Sequence, residues 1–177
     1  PSPFFMHFNH TEIEEGPMGH MVEDRHLRRA LLKAVGAAPG ITLLSDQTVV
    51  AQEPDDTGIT LHLASGKTVR ARLAVGADGR GSGTAARAGI KRIGWPYAQT
   101  ALVCAIQHEL PHHGIAHQFF MPPGPLAILP LTQNRSSIVW SETAAQAARI
   151  NALPDAAYLD VLRPRFGDFL GEISLAG

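Results

Sequence analysis

The sequence predicts an α+β fold: a mixed, largely antiparallel sheet with helices on one face, attached to a smaller unit of helix, hairpin and loop. Three observations carry this. Residues 23–38 place apolar side chains at helical spacing. Residues 59–75 alternate apolar and polar side chains and run into a glycine-rich loop. Residues 97–141 hold four β-rich runs divided by short turns, and two helical segments follow them.

Composition removes several classes. At 177 residues the chain can bury one good core. Hydrophobic residues at 45% against charged residues at 18% describe a globular chain, not a disordered one. Lys and Arg number 15 against 16 Asp and Glu, so the basic excess of a nucleic-acid binder is missing and no nucleic-acid partner is expected. The single cysteine, Cys104, excludes a disulfide framework within the chain and fits a reducing compartment. It lies in the apolar run TALVCAI and reads as a small buried hydrophobe. No apolar run approaches the roughly 18 residues that span a bilayer. The opening PSPFFMHFNH has no basic region, no cleavage pattern and no initiating Met, and it reads as the interior of a longer chain.

Along the chain, Leu27, Ala30, Leu31, Ala34 and Val35 form one apolar stripe. Asp24 stands at its start and APG at its stop, predicting a helix over 23–38. After Gly40 the period changes. ITLL and TVVAQ are short β-rich runs broken by Ser45-Asp46. Ile59, Leu61 and Leu63 alternate outward, Ser65-Gly66 turns, and Val69, Ala71, Leu73 and Val75 alternate on the return. SGTAARAG behind the loop predicts a short helix. Strands are expected over 97–107, 115–121, 126–131 and 136–141, with turns at PHHG, PPG and TQNR. ETAAQAARI and PDAAYLDVLRPRF then read as helices, the second started by Pro154 and Asp155. The change of texture falls near Gly94-Trp95-Pro96.

The loop in LAVGADGRGSGTAARAGI is the candidate site. A strand that enters a glycine-rich turn and leaves as a helix puts free backbone N–H groups and a positive dipole end in one place. Bare backbone lets a phosphate approach closely, and Asp78 would suit a ribose hydroxyl or a bound water, since it would repel phosphate. A plain strand-to-helix connection needs glycines too, so spacing leaves both readings open. The nine histidines make no ligand set: His7, His10 and His20 could suggest one, but His7 and His10 read as an extended entry, His112-His113 fall in a hairpin turn, and no Cys or paired carboxylate completes a set. No metal site is expected. No Gly-x-Ser-x-Gly elbow is present to support hydrolysis.

LAVGADGRGS resembles the Asp-Gly motif of flavoprotein aromatic hydroxylases, the p-hydroxybenzoate hydroxylase-like family. GHMVEDRHLRRALLKAV is similar to that family's strand-to-helix segment, and HQFFMPPGPLAILPLTQNRSSIVWS resembles the substrate sheet of the branch that hydroxylates ubiquinone precursors. The resemblance covers most of the chain from Gly19 onward. Departures occur at Gly81, where a bulkier residue is usual, at Ala85 and Ala86, where arginines lie near the NAD(P)H approach, and at His20, where Tyr is common.

The resemblance implies a partial FAD-binding, Rossmann-like domain over 1–94 and a substrate-binding domain over 95–177. It implies FAD as cofactor with Arg25, Val49, Asp78, Gly79 and Arg80 as its contacts, and NAD(P)H as reductant, NADH and NADPH both open. Arg25 would meet the flavin nucleotide, though it equally fits a surface arginine satisfying a helix-end or loop carbonyl. The Val49 backbone would meet the adenine side, though its side chain equally fits plain core. Asp78 would bridge the flavin and reductant regions. The reaction implied is monooxygenation: reduced flavin activates O2 and an electron-rich, polyprenylated phenol takes one oxygen, with no catalytic side chain required. The enzyme would be cytoplasmic or peripheral to the inner membrane; membrane, biosynthetic-complex and homo-oligomer partners are open alternatives. The family's G-x-G-x-x-G turn precedes this stretch and its closing segment follows it, so the 177 residues by themselves are expected to be colourless and inactive. A non-catalytic binding or assembly module is the competing reading.

Overall fold

The computed structural model describes residues 4, 6–14 and 16–176. Residues 1–3 and 5 of the opening stretch read above for a leader lie outside these. The chain divides into two compact units, one of residues 1–30 and 97–177, the other of residues 31–96. One cut falls between Pro96 and Tyr97 and the other inside the first helix.

That helix, α1, spans Asp24–Ala37, with Asp24 in its first turn. Its predicted apolar stripe is not buried: Leu27 and Leu31 stay largely exposed. In the unit of residues 31–96, β1 (Val49–Asp55), β2 (Gly58–Leu63) and β3 (Thr68–Ala71) form an antiparallel sheet in that order. The turn between β2 and β3 is closed by Gly66, whose φ of 82° is natural only to glycine. Arg70 on β3 holds Asp55 through paired guanidinium bonds, which keeps that carboxyl well below its ordinary range.

Two expectations fail here for one reason. The return strand was expected to continue through Leu73 and Val75, but it ends at Ala71. Ile59, at the start of β2, pairs with Ala71, and the chain opposite has already turned. Leu73 and Val75 are therefore extended but unpaired, and 76% and 81% exposed. ITLL likewise forms no strand, because β propensity without a partner leaves backbone N–H and C=O groups to water. The short helix behind the loop, α2, spans Gly83–Arg87 as expected.

The other unit holds a five-stranded sheet built from β4 (Gln99–His108), β5 (His117–Met121), β6 (Gly124–Pro130), β7 (Arg135–Thr143) and β8 (Ile173–Leu175). Their order is β5-β6-β7-β4-β8, and every pairing is antiparallel. The four longer strands were expected; β8 was not. Two helices follow β7: α3 (Ala144–Asn151), capped by the Thr143 hydroxyl, and α4 (Asp155–Phe166).

The period of two sorts this sheet into faces. Leu102, Ile106, Leu126, Ile128, Ile138 and Trp140 point at the helices and form the core with Ile150, Leu162 and Phe166. Cys104 is only partly buried, and its thiol bonds the Tyr158 hydroxyl at 3.5 Å, so the reading of a plain buried hydrophobe is incomplete. Burial pushes both groups' pKa values up. At the sheet's end His108 gives its Nδ1 hydrogen to the Leu110 carbonyl at 2.7 Å, and its Nε2 lies 3.1 Å from the Ser136 hydroxyl. The opposite face carries Val103, Ala105, Ala127, Leu129, Ser137 and Val139, aligned across neighbouring strands, with Val103 exposed and the others half-buried.

Candidate functional site

In the unit of residues 31–96 the site is built on the Asp78 loop. Gly79 adopts a φ of 77°, which reverses the chain and lets Ser82 N–H reach the Gly79 carbonyl at 3.1 Å. The reversal brings α2 back over Asp78. Its Oδ1 accepts from the Ser82 hydroxyl, and its Oδ2 accepts from the Thr84 amide and the Thr84 hydroxyl, each at 3.0 Å. Ser82 Oγ in turn accepts the Ala85 N–H at 3.0 Å and so caps α2. Bonds first from the Ser82 hydroxyl and then from the Thr84 amide hold the Asp78 carboxyl far below its usual range. A carboxylate offers about four lone-pair positions. Three are spent inside the loop, so at most about one remains for a ligand.

Around this fixed carboxylate the backbone is bare. At Gly79 and Gly81 nothing stands within 4 Å of where a Cβ would lie. Arg80 between them is exposed. Open backbone beside an unburied guanidinium suits an anionic group such as a dinucleotide phosphate, so the residues present fit FAD. Gly76 is glycine for a different reason: a Cβ there would stand 2.7 Å from Thr84 Cγ2 and 2.9 Å from Thr84 Cβ. Gly76→Ala should therefore push Thr84 off Asp78. We expect it to lower the melting temperature of the protein and weaken flavin uptake, whereas Gly81→Ala, with open space, should leave the melting temperature within about 1 °C.

Loop and sheet are tied together. The Gln52 side chain on β1 donates to the Thr84 carbonyl at 3.2 Å and accepts from Arg87 Nε at 3.3 Å. Arg87 is thus anchored to β1. Val49 opens the same strand. It pairs with Leu63 while Ala51 pairs with His62, so the register slips between them and Val50 is the extra residue of a bulge. A bulge leaves backbone groups unpaired, and the alternation of TVVAQ gave no sign of it.

Arg25 belongs to the unit of residues 1–30 and 97–177. Its side chain is 64% exposed, and Nη2 reaches Glu23 Oε2 at 2.7 Å. The other Glu23 oxygen, Oε1, holds Arg135 Nη2 at 2.8 Å. Chiefly the Arg25 bond, then Arg135, lowers the Glu23 pKa. Of the five residues singled out from the sequence, Asp78, Gly79 and Arg80 share one loop, and Val49 lies on a strand bonded to the helix behind it. Ser82, Thr84 and Gln52 were missed; the hydroxyls four and six positions beyond an acid were the available signal. Among the described residues no three His, Cys, Asp or Glu side chains gather to hold a metal.

The family described as FAD binding domain matches residues 6–169. Ubiquinone hydroxylase UbiL of Rhodospirillum rubrum is 45% identical over 176 residues, covering 99% of this chain and 41% of that protein. The 3-demethoxyubiquinol 3-hydroxylase of Escherichia coli is 32% identical over 167 residues, covering 94% of this chain and 43% of that protein. The chain thus spans well under half the length of these relatives. Among solved structures, PqsL of Pseudomonas aeruginosa superposes with a TM-score of 0.65 at 24% identity, over 82% of this chain and 40% of that one. The flavin-dependent halogenase CmlS gives a TM-score of 0.66 at 19% identity, over 88% of this chain and 30% of that one. At such identities the last two show a shared fold.

Proposed function

The chain belongs to the FAD-binding domain family, and on that premise we propose that it is part of an FAD-dependent monooxygenase that hydroxylates a polyprenylated phenol in ubiquinone biosynthesis. The observation that carries this is the Asp78 loop: a carboxylate locked by Ser82 and Thr84 beneath open glycine backbone and Arg80. FAD, when bound, supplies the activation of O2 and the transfer of one oxygen atom to the ring.

The chain's own residues bind and orient. Gly79, Gly81 and Arg80 would take the anionic part of the dinucleotide, the backbone at the Val49 bulge its adenine side, and Arg25 its flavin nucleotide. Residues 1–94 would then serve the cofactor and residues 95–177 the substrate. The open sheet face of Val103, Ala105, Ala127, Leu129 and Val139 offers a wall of small and branched apolar side chains, which suits a prenylated ring and keeps water from it. No side chain on that wall is a strong acid or base, in keeping with a reaction whose oxygen transfer the cofactor performs. NAD(P)H is the reductant this reading requires. A cytoplasmic location, or one peripheral to the inner membrane, is part of the same proposal; among the described residues no helix is long and apolar enough to cross a membrane. The likeness to the ubiquinone hydroxylases supports the substrate class. The test is turnover by the natural protein: phenol-dependent oxidation of NAD(P)H with a product one oxygen atom heavier. NAD(P)H oxidation indifferent to every phenol offered would overturn the substrate assignment.

A further inference from the structure

Arg135 begins β7 on the open face of the five-stranded sheet, opposite Gln107 of β4. Its side chain is only 16% exposed, and Nη2 divides between Glu23 Oε1 at 2.8 Å and Thr132 Oγ1 at 3.2 Å. Glu23, 21% exposed, then reaches with its second oxygen to Arg25. One carboxylate thus stands between two guanidinium groups of opposite character. Arg135 is packed into the β6–β7 turn, and Arg25 points its remaining donors at solvent. Two guanidinium groups share this one carboxylate, with His26 Nε2 a further 3.7 Å from Glu23 Oε1, and Arg25 is the more exposed of the two arginines.

We propose that Glu23 is a positioning residue for the flavin nucleotide: anchored by Arg135, its carboxylate holds the Arg25 guanidinium ready for the anionic cofactor. This rests on the flavin reading given above. A long arginine side chain free in solvent loses rotamer entropy on binding an anion, and a partner that already restrains it removes part of that cost. The same chain of contacts makes the end of the substrate face and the cofactor arginine one connected structure, so that loosening Arg135 loosens Arg25.

The experiment is FAD titration of the flavin-stripped natural protein, followed by quenching of flavin fluorescence, with melting curves of each flavin-free variant. Arg25→Met should weaken FAD binding. Glu23→Gln and Arg135→Met, neither of which removes Arg25, should each weaken it about tenfold. In the Arg25→Met background, Glu23→Gln should add nothing, since it acts only through that arginine. A merely structural role would instead lower the melting temperature and cost the same affinity in both backgrounds, and that result overturns the proposal. So does wild-type affinity in both Glu23→Gln and Arg135→Met, or in Arg25→Met itself, each of which leaves the flavin reading standing. A wild-type protein that takes up no FAD overturns the flavin reading and the proposal together. Arg135→Met, which leaves α1 untouched, decides the matter if Glu23→Gln does not fold.

Discussion

Replacing Trp140 with alanine should cost about 3–5 kcal/mol, the range for deleting a large aromatic from a packed core. Trp140 is 1% exposed and central. It pairs across the sheet with Leu102 on β4 and Leu126 on β6, and the Tyr158 ring meets it edge-on at 6.2 Å. The Arg165 guanidinium covers its ring at 4.8 Å and also pairs with the buried Glu142 at 3.5 Å. Alanine would leave a cavity under two strands and remove the surface on which that arginine rests. Domains of this size hold only about 5–15 kcal/mol in all, so the variant should be substantially unfolded at physiological temperature. Urea unfolding measures it. Val103→Thr, on the open face of the same sheet, should shift the midpoint little, and a Trp140→Ala loss no larger than that of Val103→Thr would refute this packing.

Asp78→Ala should produce the largest fall in FAD affinity of any single substitution in the glycine loop, about 10- to 100-fold. Three donors would lose their acceptor together: the Ser82 hydroxyl, the Thr84 amide and the Thr84 hydroxyl. Ser82 is also the cap of α2, so the helix start and the bare backbone at Gly79 and Gly81 would lose their shape with it. Asp78→Asn keeps an acceptor but turns an NH2 group toward donors, and should fall between wild type and alanine. Affinity within about twofold of wild type in Asp78→Ala would show that the loop does not hold the cofactor.

The elements most legible in the sequence were those that carry their own partners nearby. β4 to β7 are β-rich runs, short turns separate the last three of them, and burial of one face is enough to specify their register. β8 is three residues long and reads as nothing by itself; it is a strand only because β4 offers it a free edge. Leu73 and Val75 show the converse. Their alternation promised a buried strand, but alternation records what a segment can pair with, and the hairpin opposite them ends too early. The apolar stripe of α1 was visible and its exposure was not, since periodicity names a face without naming what covers it. At the site, Asp78 and its glycines stood out, while the Glu23 to Arg135 contact joins positions 112 apart and leaves no local pattern to read.

The most direct measurement is the absorption spectrum of the natural protein as purified, followed by FAD titration of its stripped form. A yellow protein carrying one flavin per chain, stripped and reloaded with FAD, is the predicted result, with reloading impaired by Asp78→Ala. A folded, colourless protein that takes up no FAD would contradict the assignment of the Asp78 loop as a flavin site.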